Sequence, residues 1–143
     1  MSQRENAIGA LFAVLGQLSL GATVRRNAAL PERVSDQAMA ILRDGEMGEP
    51  EVTLSPLTYH WQHQVAIEMF VADPDASARD ARMDGLLVEL STLIDVDRTL
   101  GGQVEYAEIG HPKFDELAPD GTSGIKACLL PVVLHYSSPG PLH

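Results

Sequence analysis

The sequence is poor in cysteine, in positive charge and in long apolar runs, and each shortage excludes a class of protein. A single cysteine in 143 residues, Cys128, rules out an internal disulfide and fits a reducing compartment. Ten lysines and arginines stand against 20 aspartates and glutamates, a net charge of −10. Such a surface repels phosphate backbones, which argues against a nucleic-acid grip; Arg25-Arg26 is the only basic doublet. It suits a body that stays soluble at high concentration, or one past which nucleic acid slides without adhering. No apolar stretch approaches the roughly 20 residues of a membrane-spanning helix. The opening residues also lack the basic region and cleavage site of a secretory signal. The expectation is a soluble, intracellular chain of one domain, residues 1–143, long enough to bury a sizeable core without staples.

Catalytic and metal motifs are missing too. There is no G-x-G-x-x-G, P-loop or H-E-x-x-H pattern. "GTSG" (121–124) lacks the spacing of a nucleophile elbow. Cys128 lies in the apolar run "KACLLPVV", where a buried thiol is inert. His60 and His63 flank Trp61, the only tryptophan. Three residues apart, they would align on a helix, but on a strand they point to opposite faces and cannot share an ion without a bulge. The expectation is no catalytic, metal or cofactor site.

What is present is periodicity. Ser2 with Glu5 forms a capping box, and Ile8, Leu11, Phe12, Leu15 and Leu18 recur at helical spacing, predicting a helix from Ser2 to Leu20 stopped by Gly21. Its other face is small or neutral: Asn6, Gly9, Ala10, Ala13, Gly16 and Gln17. That face is either a lightly decorated solvent surface or the place where another subunit approaches. "ATVRRN" and "QAMAILRDGE" read as short strands separated by a loop at 30–36. An acidic, turn-rich stretch follows, with Asp44, Glu46, Glu49 and Glu51, lacking the order of a calcium loop.

From Leu57 to Val71 apolar residues fall on odd positions, the pattern of a half-buried strand with His63 in its apolar row and His60 facing outward. Asp73-Pro74 offers an N-cap and first helical residue, and Met83, Leu86, Leu87, Leu90, Leu93 and Ile94 form the stripe of a second helix ending near Asp95. "DVDRTLGG" turns the chain, "GQVEYAEI" reads as a strand, and 110–124 as a long loop carrying His111, Lys113, Phe114 and Asp115. "IKACLLPVVLHYS" closes the domain as a strand apolar on both faces, central or covered, in which Pro131 implies a bulge or an unpaired side. The order α-β-β-β-α-β-β predicts an α+β fold with a mostly antiparallel or mixed sheet of about four to five strands and two helices.

Read in order, "RENAIGALFAVL", "TVRRNAALP", "AILRDGE", "LSPLTYHWQHQVAIEMFV", "RDARMDGLLVELSTLI", "DRTLGGQVEYAE" and "KACLLPVVLHYSSP" resemble the tail terminators (minor tail protein U type) of long-tailed, lambda-like bacteriophages and gene-transfer particles. The resemblance spans nearly the whole chain and lies in the order of elements and short phrases, with no single diagnostic residue. It implies a structural virion protein at the tail–neck junction, assembled in the host cytoplasm. Its subunits form a homo-oligomeric ring, a hexamer, that caps the tail tube and ends tube polymerisation. Its partners are further copies of itself, the tail tube protein and the head–tail connector or stopper, with DNA passing through the lumen unbound and no membrane involved. A cyclic ring needs two different patches on each subunit. The small-residue face of the first helix is a candidate for one, and the loops at 44–56 and 110–124 are candidate tube or connector contacts. The alternative from another class is a small α+β enzyme or ligand-binding domain, acting for example on acyl thioesters.

Overall fold

A computed structural model describes residues 1–19, 23–29, 38–117 and 124–143. Helix α1 (Gln3–Leu15) leads into strands β1 (Thr23–Arg26), β2 (Ala38–Glu46), β3 (Glu51–Thr53) and β4 (Thr58–Ala72). Helix α2 (Ala76–Val96) then precedes β5 (Tyr106–Ile109), β6 (Lys113–Leu117) and β7 (Ile125–Ser138). The class is α+β, with two helices and a mixed sheet of seven strands in the order β1-β2-β4-β7-β5. Strand β3 pairs with β4 beyond the end of β2, and β6 pairs with β7 beside β5. Among the described residues only β1 and β2 run parallel; the other ladders are antiparallel.

The axis of the sheet is the pair β4–β7, in register from Tyr59↔Ser138 to Ala72↔Ile125. Along β4 the odd residues Trp61 to Val71 are buried, as their alternation requires. The even residues of β7 from Cys128 to Ser138 lie on the same face. Both helices cover that face: Ile8, Leu11 and Leu15 from α1, and Met83, Leu86, Leu90 and Ile94 from α2, join it in one core. Phe70, which breaks the β4 alternation, is buried on the opposite face with Met39 and Ile41 in a small second cluster.

Several boundaries differ from expectation. Ser2 caps α1 by accepting from the Glu5 amide at 3.1 Å, but the helix ends at Leu15 with Gly16 as cap rather than running to Leu20. The Glu5 side chain does not close the box; it is taken by Arg26. Helix α2 is capped by Asp75, not Asp73: Asp75 accepts from Ser77, while Asp73 accepts from Asp75 itself, so two Asx turns precede the helix. The strand expected at 102–109 is confined to Tyr106–Ile109.

The two acidic stretches expected to be loops each contain a strand, β3 and β6. Both are short and held by a ladder to a much longer neighbour, so their own composition did not decide them. Pro131 sits where β7 changes partner. Its ladder with β6 ends at Leu129 and that with β5 begins at Val132, so no strand pairs with it on that side. The Gly110 amide instead donates to the Pro131 carbonyl at 2.8 Å. The loop at 30–36, Gly21 and residues 121–123 of "GTSG" lie outside the described residues. No helix among the described residues is long and apolar enough to cross a membrane.

Candidate functional site

The small-residue face of α1 is open. Gly9, Ala13, Gly16 and Gln17 are exposed and Asn6 and Ala10 half-buried, and a methyl group built on Gly9 would touch nothing within 4 Å. Beside this face runs a groove of about 460 Å³, between Ala10, Ala13, Val14 and Gln17 of α1 and Leu93 and Val96 at the end of α2. Val96, which lines it, is 81% exposed. The floor is the turn after α2, fastened by one side chain. The Asp97 carboxylate accepts from the Thr99 amide at 2.9 Å, the Thr99 hydroxyl at 2.5 Å and the Gly101 amide at 2.9 Å. These donors, the Thr99 hydroxyl foremost, hold its carboxyl below the usual carboxylate range. Leu100 and Gly101 within the turn adopt positive φ of 50° and 73°.

The expected contact loops are rearranged. Asp44 lies within β2 and is not a free loop carboxylate: Arg26 donates to it through Nε at 2.7 Å and Nη2 at 2.8 Å. The same guanidinium also grips both carboxylate oxygens of Glu5. Both acids are held below their ordinary range by this hydrogen bonding, and Arg26 is pushed higher still. Glu46 ends β2, exposed. Glu49 and Glu51 line a shallow cavity of about 530 Å³ at the end of the sheet, facing His60, Glu105 and His135. His60 takes its own hydrogen bond from within the hairpin, Nε2 to Thr53 Oγ1 at 2.8 Å. His135 bonds Glu108 at 2.9 Å.

On the other loop, His111 is exposed in the β5–β6 connection, whereas Lys113, Phe114 and Asp115 are strand residues paired to Leu129, Cys128 and Ala127. Phe114, 52% exposed, has the Lys126 ammonium 5.0 Å from its ring centre, and Lys126 in turn donates to Asp80 at 2.8 Å. The structure thus places Ala10, Ala13 and Gln17 on one groove and leaves Asn6, Gly9 and Gly16 off its lining, while the acidic residues Asp44, Glu46, Glu49, Glu51 and Asp115 are spread over β2, the cavity at the end of the sheet and β6.

The histidine of the apolar row is a structural centre. His63 is buried at 2% exposure, with Nε2 2.6 Å from the Asp44 carbonyl and Nδ1 2.8 Å from the Tyr136 hydroxyl. Burial pushes its pKa down and that of Tyr136 up to about 12. Neither the Arg26 clamp nor the Tyr136 bond was visible in the sequence, since both join residues distant in the chain; Arg26 showed only as half of a basic doublet.

Cys128 is buried, and burial raises its thiol pKa, which disfavours a thiolate. Among the described residues no three His, Cys, Asp or Glu side chains are placed to hold a metal ion. Comparison with protein-family models and with curated protein sequences gives no match.

Proposed function

We propose that this chain is a structural ring subunit, the tail terminator that closes a phage-like tail tube and presents a surface to the head connector. The observation that carries the assembly half of this reading is the groove beside α1. Its lining is mostly apolar or small, with Gln17, Asp97 and Gln103 as the polar members, it includes the exposed Val96, and the helix face that continues it bears no charge from Asn6 to Gln17. A solvent-facing helix ordinarily spends these positions on Lys and Glu. Small residues let a neighbouring backbone come close, and a heterologous contact of this kind closes into a ring when the rotation permits. The station in the particle rests on the order of sequence phrases.

The negative charge of the chain serves a tube through which DNA passes without adhering. Solution mass by light-scattering chromatography, over a wide concentration range and with purified tail-tube protein added, tests the reading. A ring-sized species, alone or on the tube tip, is expected. A strict monomer under both conditions would overturn it. Ala13→Arg should abolish the ring while changing monomer stability by less than ~0.5 kcal/mol, because the position is exposed in the single chain.

A further inference from the structure

A hydrogen-bonded chain crosses the sheet at one corner and ties five elements together. It starts at the Tyr136 hydroxyl on β7 and passes through His63 on β4 to the backbone carbonyl of Asp44 on β2. From the Asp44 carboxylate it continues through Arg26 on β1 to Glu5 in the first turn of α1. A carbonyl oxygen only accepts, so Nε2 of His63 carries the hydrogen, and Nδ1 is left as the lone pair that accepts from Tyr136. Neutral imidazole satisfies both neighbours; the imidazolium does not. Its Nδ1–H would face the hydroxyl hydrogen of Tyr136, forcing that buried hydroxyl to give up its donation.

The carbonyl reaches the ring because β2 bulges. The register of β2 against β4 shifts between Arg43 and Glu46, and Gly45 there has φ +61°. A methyl group on Gly45 would lie 1.8 Å from the Gln64 carbonyl oxygen, so the bulge is committed to glycine. The described charges acting on the ring are two. The Asp44 carboxylate favours the cation but is already held by Arg26, and Arg4 of α1 opposes it. Of the other charged groups at the corner, Glu5 and Arg26 are engaged with each other, Arg43 is paired with Glu68, and Glu46 at the end of the bulge is exposed to solvent.

We infer that His63 is an acid-sensitive latch: as a neutral imidazole it locks the bulged end of β2, and through Asp44 and Arg26 the start of α1, onto the central strands, and its protonation releases this corner ahead of the rest of the fold. The sign follows from linkage. Burial lowers the pKa of His63 in the closed state, so the open state binds the proton more tightly. The latch is fully engaged above about pH 6.5, the ordinary histidine value, and weakens as pH falls toward the lowered closed-state value. Within that window the open population rises about tenfold per pH unit.

The test is amide hydrogen exchange on the full chain between about pH 7.5 and 5.5, corrected for the chemical exchange rate, a window chosen to bracket the histidine titration. Amides of Asp44–Met47 and of the first turn of α1 should lose protection about tenfold per pH unit below the ordinary histidine pKa, while Val65–Met69 and Leu130–Leu134 hold theirs. In His63→Gln, which does not titrate, that slope should vanish. Equal slopes at corner and centre, or an undiminished slope in His63→Gln, would overturn the latch. Ring ¹⁵N shifts of the native chain give a second reading that needs no variant. Protonation at Nε2 is expected at neutral pH, and an Nδ1–H tautomer of His63 would sink the proposal.

Discussion

The two halves of α1 solve opposite problems. At its start, Glu5 is clamped by Arg26, the Gln3 amide donates to the Gln103 carbonyl, and Ser2 caps the first turn, so the polar groups are spent inside the chain. From Gly9 onward the outward face carries no ionic or hydrogen-bonding side chain before Gln17, and it borders a mostly apolar groove. The charges thus fall on one half, and none on the other, of a single helix of 13 residues. One end fixes how the helix sits on the sheet. The other stays bare, and under the proposed ring reading it would offer a partner a surface with few polar groups to desolvate.

Variants can break this contrast, beginning with the most damaging. Gly45→Ala puts a side chain into the Gln64 carbonyl at a positive φ, which should cost at least about 2–3 kcal/mol or prevent folding; urea unfolding reads it. Leu11→Ala, on the buried face of the same helix, should cost about 2–5 kcal/mol by the same assay. An effect under about 1 kcal/mol there would mean that α1 contributes little to the monomer core.

Arg26→Met strikes the anchored half. It leaves two neighbouring carboxylates without their cation and should cost about 1–2 kcal/mol near neutral pH, already reduced for the solvent exposure of the partners. Glu5 and Asp44 have lowered pKa values, so their contribution is complete above the ordinary carboxylate range of about 4 and is lost as pH falls through the lowered values. The Arg26→Met chain should therefore lose much of its stability difference from the parent in strong acid, which unfolding curves at a series of pH values would reveal.

Gentlest is Asp97→Ala at the groove floor: faster exchange of the Gly101 amide is expected, with the core unaffected, and, if the proposed ring forms through this groove, weaker assembly. Unaltered exchange at Gly101 would show that the positive-φ residues, not the carboxylate, hold the turn.

Much of the fold was legible because strong periodicity leaves little choice. The odd-position row from Trp61 to Val71 had to be a strand with one buried face, and that alone placed His63 inside and His60 outside. Ser2 as cap and the Met83-to-Ile94 stripe followed from local chemistry in the same way. Strands β3 and β6 were not legible. "EVT" and "KFDEL" have no periodicity of their own, and what makes them strands is the length of β4 and β7 extending past β2 and β5. Asp73 and Asp75 are both good caps, and only the path from β4 to α2 chose between them.

The candidate site divides along the same line. The uncharged face of α1 is a property of the sequence, since helical spacing gathers Asn6, Gly9, Ala10, Ala13, Gly16 and Gln17 on one side whatever lies beneath. The groove beside it exists only because α2 ends with Val96 projecting outward and the Asp97 turn closes below. The sequence by itself determined where the chain alternates, where a helix begins and that the surface is acidic, because those depend on neighbours a few residues away. The tertiary structure decided that Asp44 pairs with Arg26, that Tyr136 meets His63 and that two acidic stretches become edge strands. Those outcomes depend on which distant groups the long β4–β7 ladder brings within hydrogen-bond reach, and no local rule contains that information.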